Sequence, residues 1–226
     1  MSARSLLWAA MVVLFAAYAQ ASSIKGVEYS PDGKGIAVAI YNDSNDTSTL
    51  ALIDAATYEP VVEITLPREV FGITFSPTGQ FLATVRNIMK NKHAVEIWKT
   101  KNWTQHRALE TFNVSKVTTD SVVEFVGKKK LLAIASQTRP LVWDFRREQP
   151  QIRKIKPKFA KGIFAVTAPT EGREIAFGEG YQTHIYDTKR QLITKSFGRR
   201  VASISYGKNN NLIAGTKLNS GGKLGV

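Results

Sequence analysis

Residues 73–85 read Ile73-Thr74-Phe75-Ser76-Pro77-Thr78-Gly79-Gln80-Phe81-Leu82-Ala83-Thr84-Val85. Two apolar segments flank a Ser-Pro-Thr-Gly turn, in which proline presets φ at one corner and glycine accepts a positive φ at the next. The second segment, Phe81 to Val85, is apolar on both faces, as a strand is when other sheets cover it on both sides. The same pattern recurs at Val27-Glu-Tyr-Ser-Pro-Asp-Gly33 and at Val123-Glu-Phe-Val-Gly127. Weaker copies stand at Val166-Thr-Ala-Pro-Thr-Glu-Gly172 and Ile204-Ser-Tyr-Gly207. An apolar strand follows every copy: Ile36 to Ile40, Leu131 to Ala135, Ile175 to Phe177 and Leu212 to Ala214.

A second register agrees with the first. A third strand ends at Leu52-Ile53-Asp54, Ile97-Trp98-Lys99, Val142-Trp143-Asp144 and Ile185-Tyr186-Asp187. The steps from Ile53 to Trp98 to Trp143 to Tyr186 are 45, 45 and 43 residues. Fourth strands follow, such as Pro60 to Leu66 and Gln191 to Thr194. A repeat of about 40–45 residues with four strands per unit is the period of a β-propeller. No stretch holds a 3.6-residue apolar rhythm. The expected fold is therefore all-β, a propeller of about four to five visible blades, with a leader at 1–21 and the propeller at 24–226. The blades fall near 24–66, 67–112, 114–157, 160–197 and 201–226. Val226 occupies the register position of Ile97, Val142 and Ile185, so the fifth blade reads as incomplete. Truncation is the expectation, with closure by strands of another chain as the alternative, because an open ring leaves apolar strand edges exposed.

Val142-Trp143-Asp144-Phe145 resembles the strand-ending Trp-Asp of WD40 repeats, and Tyr186-Asp187 is a variant of it. The openings Tyr29-Ser-Pro-Asp-Gly33 and Phe75-Ser-Pro-Thr-Gly79 also resemble those of irregular bacterial and translation-factor propellers. The Gly-His pair that opens a regular WD40 repeat is absent, and its partner aspartate has a counterpart only at Asp46. The resemblance implies a scaffold that binds other proteins, with Trp98, Trp143, Asp144, Tyr186 and Asp187 as structural repeat positions.

The N-terminus reads as a targeting segment. Arg4 precedes an almost wholly apolar run from Leu6 to Ala19, and Ala19-Gln20-Ala21 has the small-x-small form of a cleavage site. The run is short for a spanning helix. A cleaved secretory signal leaving Ser22 as the new terminus is expected, with an uncleaved membrane anchor as the alternative. Sequons at Asn42, Asn45, Asn102 and Asn113 point the same way, toward a secreted or lumenal glycoprotein.

No cysteine is present, which excludes disulfides, thiolate catalysis and cysteine zinc sites. His93, His106 and His184 lie in different repeats without ligand spacing. The acidic loop Asn42 to Asp46 lacks the spacing of a calcium loop and reads as a solvated hairpin. No nucleophile elbow, zinc-protease, P-loop or dinucleotide motif occurs, so no catalytic residue, metal or cofactor is expected. An enzyme with a site assembled around the central channel stays open as an alternative.

Charge is uneven. Residues 22–85 carry a net −5 and residues 86–226 a net +17, within a total of +13. The basic tract comprises Lys128, Lys129, Lys130, Arg146, Arg147, Arg153, Lys154, Lys156, Lys158 and Lys161. Such a tract is either a solvated surface or a face for polyanions. In the secretory pathway those would be sulfated glycans, anionic lipid surfaces or acidic proteins. In the cytosol RNA or the ribosome would take their place, but only Phe145 and Phe159 lie among these residues, and single-strand binders interleave more aromatics. The reading is a non-catalytic, secreted or lumenal scaffold with a basic face. The alternative is an intracellular RNA- or ribosome-associated propeller.

Overall fold

The computed structural model describes residues 22–89, 92–112, 123–128, 131–135, 140–146, 149, 151–156, 163–179, 182–198, 203–206 and 211–215. The leader, Lys129, Lys130, Arg147, Lys158, Lys161, Asn113 and the end of the fifth blade lie outside these residues.

Blade 1 consists of β1 (Ser22–Tyr29), β2 (Gly35–Asn42), β3 (Thr47–Asp54) and β4 (Pro60–Pro67). Blade 2 consists of β5 (Val70–Phe75), β6 (Phe81–Met89), β7 (Lys92–Lys99) and β8 (Thr104–Phe112). Blade 3 is shorter, with β9 (Val123–Phe125), β10 (Leu131–Ile134), β11 (Leu141–Asp144) and β12 (Gln151–Lys154). Blade 4 has β13 (Ile163–Thr167), β14 (Glu174–Glu179), β15 (Gln182–Asp187) and β16 (Leu192–Gly198). A fifth, two-stranded sheet pairs β17 (Ser203–Tyr206) with β18 (Leu212–Gly215). Each blade is an antiparallel meander in chain order. The first strands β1, β5, β9, β13 and β17 touch one another in succession, as the inner strands of a propeller ring do.

Local hydrogen bonds explain the repeat residues. The Ser30 hydroxyl accepts the Gly35 amide at 2.8 Å, and the Ser76 hydroxyl accepts the Phe81 amide at 3.0 Å. In both turns the glycine amide closes back on the serine carbonyl, and Gly33 and Gly79 take φ of 71° and 69°. At the other hairpin, the Asp54 carboxylate accepts the amides of Ala56 and Thr57, and Asp187 accepts those of Lys189 and Arg190. Those amides hold both carboxyls below the usual range. The strand-ending aspartate is thus a turn cap.

The core lies between blades. Leu50 and Leu66 of blade 1 pack with Ile73, Phe75 and Trp98 of blade 2. Val95, Ile97 and Leu109 of blade 2 pack with Leu132, Trp143 and Phe145 of blade 3. Val142 and Ile155 of blade 3 pack with Ile175, Phe177 and Tyr186 of blade 4. Neighbouring residues on one strand therefore face different blades, which is why these strands are apolar on both sides. Blade 1 begins with strand from Ser22, slightly ahead of the expected start at 24, because Ser22 pairs with Asn42.

Candidate functional site

A cleft of about 1070 Å³ lined by charged residues lies between blades 3 and 4. Its floor is apolar, formed by Leu131, Val142 and Tyr186. Arg146 and Arg153 of blade 3 line one wall, and Arg173 and Lys189 of blade 4 the other. Asp144 is the one carboxylate among the described residues of the lining, and Arg146 grips it through both Nε and Nη2. The four cations are solvent-exposed.

Strand register decides which basic residues reach the cleft. Arg153 pairs with Val142, whose side chain packs toward blade 4, so Arg153 shares that face. Lys154 pairs with Leu141, which packs toward blade 2. The tract that reads as continuous in sequence is therefore split across two faces. Lys156 is exposed beyond β12, in the residues that follow the strand. Lys128 makes an ion pair with Glu171 at 2.5 Å, which joins the turns of blades 3 and 4 and lowers the Glu171 pKa. Gly127 sits beside this contact, where a Cβ would stand 3.2 Å from the Gly172 carbonyl oxygen. Sequence reading missed Arg173 and Lys189. Both occupy turns of the next repeat, and only blade-to-blade packing sets them opposite Arg153.

The inner strands carry a second polar cluster. Glu28, Thr74 and Glu124 hold the same repeat position on β1, β5 and β9. The Thr74 hydroxyl donates to Glu28 at 3.3 Å, and the Phe75 amide donates to the same oxygen at 3.2 Å. Burial raises the Glu28 carboxyl above its ordinary range. Burial, and secondly the charge of Glu28, push Glu124 up to about 8. Among the described residues, no group of three or more His, Cys, Asp or Glu could hold a metal ion.

The sequons of the described residues lie at hairpin turns. The Thr47 hydroxyl donates to Asn45 Oδ1 at 2.6 Å, and the Thr104 hydroxyl to Asn102 Oδ1 at 2.8 Å. Asn45 and Asn102 are exposed, and Asn42 is half-buried. His184 is buried in β15 and bonded to Ser196. Trp98, Trp143 and Tyr186 are buried, while Asp144 and Asp187 cap turns at the rim. No helix among the described residues is long and apolar enough to cross a membrane.

No family profile matches the sequence, and no curated protein does. Solved structures do. The Cps50 (Swd1) β-propeller domain of Myceliophteria thermophila aligns with a TM-score of 0.69 at 13% identity, over 87% of this chain and 65% of that one. A chain of a mitotic checkpoint complex aligns with a TM-score of 0.64 at 15% identity, over 84% of this chain and 56% of that one. The chain thus spans about two thirds or less of these structures, and it has a β-propeller fold.

Proposed function

We propose that this chain is a non-catalytic protein-interaction scaffold of the secretory pathway, which meets its partners through the basic cleft between blades 3 and 4. The observation that carries the reading is the cleft itself, an apolar floor walled by Arg153, Arg173 and Lys189. Concave apolar surface supplies affinity, and a positive rim supplies on-rate and choice of partner. Propeller likeness adds support, and one of the similar structures is that of a complex. The secretory assignment is supported by the apolar run after Arg4 and by exposed sequon asparagines on hairpin turns.

A photo-crosslinking residue placed at position 153 tests the scaffold reading. Protein adducts that disappear in Arg173→Glu are the expected result. Adducts to RNA alone would instead assign the chain to the cytosol. N-terminal sequencing of the mature protein tests the location: a start at Ser22 with a glycosidase-sensitive mobility is expected, and an intact unglycosylated chain in the cytosol overturns it.

A further inference from the structure

We infer that the cleft between blades 3 and 4 takes an acidic, extended peptide segment of a partner protein, with one apolar side chain seated on its floor. The inference rests on the scaffold reading and names the occupant. Charge comes first. Among the described residues the lining holds four cations against Asp144 alone, and Asp144 already gives its carboxylate to Arg146. The remaining excess is largely guanidinium, which matches carboxylates with two parallel hydrogen bonds, where a lysine offers a point charge. Arg153 stands on an outermost strand and Arg173 in a turn of the next blade, so one ligand must span the cleft to meet both.

The floor narrows the class further. Leu131 contributes half-buried aliphatic surface, with Val142 and Tyr186 packed beneath it. A sulfated glycan has no apolar group to spend there. A single-stranded nucleic acid needs exposed ring faces, and Tyr186, the one aromatic among the described residues of the lining, is only 2% exposed. A peptide carrying carboxylates around a Phe or Leu satisfies both the walls and the floor. The cleft's size suits a few side chains of an extended segment and not a folded domain.

The test uses the full chain and fluorescence anisotropy at about physiological salt, where rim charges still act over a Debye length of about 8 Å. The probe is a labelled short peptide of Asp and Glu around one central Phe. Binding is expected, and Arg153→Glu with Arg173→Glu should weaken it by roughly tenfold or more. Lys154→Glu, on the other face, should change it much less. Replacing the central Phe by Gly should weaken binding to a similar degree, as should replacing the carboxylates by amides. Unchanged thermal unfolding of each variant keeps the comparison valid, and Arg153→Gln with Arg173→Gln serves if the reversals do not fold. Equal binding by the double variant, or by the peptide without Phe, overturns the inference. So does preferential binding of heparin or an RNA oligonucleotide through the same arginines. Failure of the peptide with protein crosslinks at position 153 intact refutes only this occupant, whereas loss of both refutes the scaffold reading as well.

Discussion

The indole Nε1 of Trp98 donates a hydrogen bond of 3.1 Å to the hydroxyl of Thr84, and that hydroxyl donates onward to Glu96 at 3.4 Å. Arg86 completes the chain with an ion pair to Glu96 at 2.6 Å. Register relates this to the next blade. Trp98 pairs with Leu82 and Trp143 with Leu132, so Thr84 and Ile134 occupy one repeat position. Trp143 is buried to 1% exposure, and among the described residues its Nε1 finds no acceptor. Blade 2 carries a satisfied polar core, and blade 3 carries the same ring without it.

Thr84→Val removes the acceptor while keeping the shape. It orphans the Trp98 N–H in a buried site and should destabilise the chain by about 1–3 kcal/mol. Urea unfolding monitored by tryptophan fluorescence measures the loss.

Ile134→Thr supplies blade 3 with the hydroxyl that blade 2 has. Ile134→Val removes a methylene and supplies nothing, at a typical cost of about 0.5–1.5 kcal/mol. The threonine variant should therefore be no less stable than the valine variant. In a Trp143→Phe background, which has no indole N–H, the order should reverse. A double-mutant cycle read by denaturant midpoints isolates the coupling.

Trp143→Ala should abolish soluble expression. The ring packs against Phe145, with centroids 5.8 Å apart, inside the cluster that joins blades 2 and 3. Removing a buried aromatic costs about 3–5 kcal/mol against a whole-domain margin of about 5–15 kcal/mol. A soluble variant with a cooperative thermal transition would show that the blade interface tolerates the cavity.

Glu124 sets a pH dependence. Its carboxyl is raised in the fold from 4.5 to about 8. The native state thus holds a proton that the unfolded chain releases. The stabilising contribution is full below the unfolded pKa and is lost as pH rises through about 8. Glu124→Gln should flatten stability between pH 5 and about pH 9 and raise the melting temperature most at the alkaline end. Differential scanning fluorimetry across that range checks the sign, and an unchanged slope would mean that Glu124 is ionised throughout.

The repeat was legible in the sequence because its marks are local. Ser30, Gly33, Asp54 and Asp187 act on amides within five residues of themselves, so composition and spacing expose them directly. The large aromatic at the end of each third strand was legible because burial selects it. The leader and the four sequons, by contrast, are not tested by the fold, since targeting depends on chain segments and cellular machinery and not on blade packing.

What the sequence determined by itself was the period, the turn chemistry and the strands covered on both faces, all of which follow from contacts within one repeat. Tertiary structure alone decided the site. Arg153 and Lys154 are adjacent in sequence yet face different blades, because side chains alternate along a strand. Arg173 and Lys189 belong to the next repeat yet stand across the cleft from Arg153, and Lys128 reaches Glu171 over 43 residues. Glu28 and Glu124 come close enough to share their charge only because β5 lies between β1 and β9 in the ring. Each of these meetings is set by how one sheet packs on the next, a geometry that no single repeat contains.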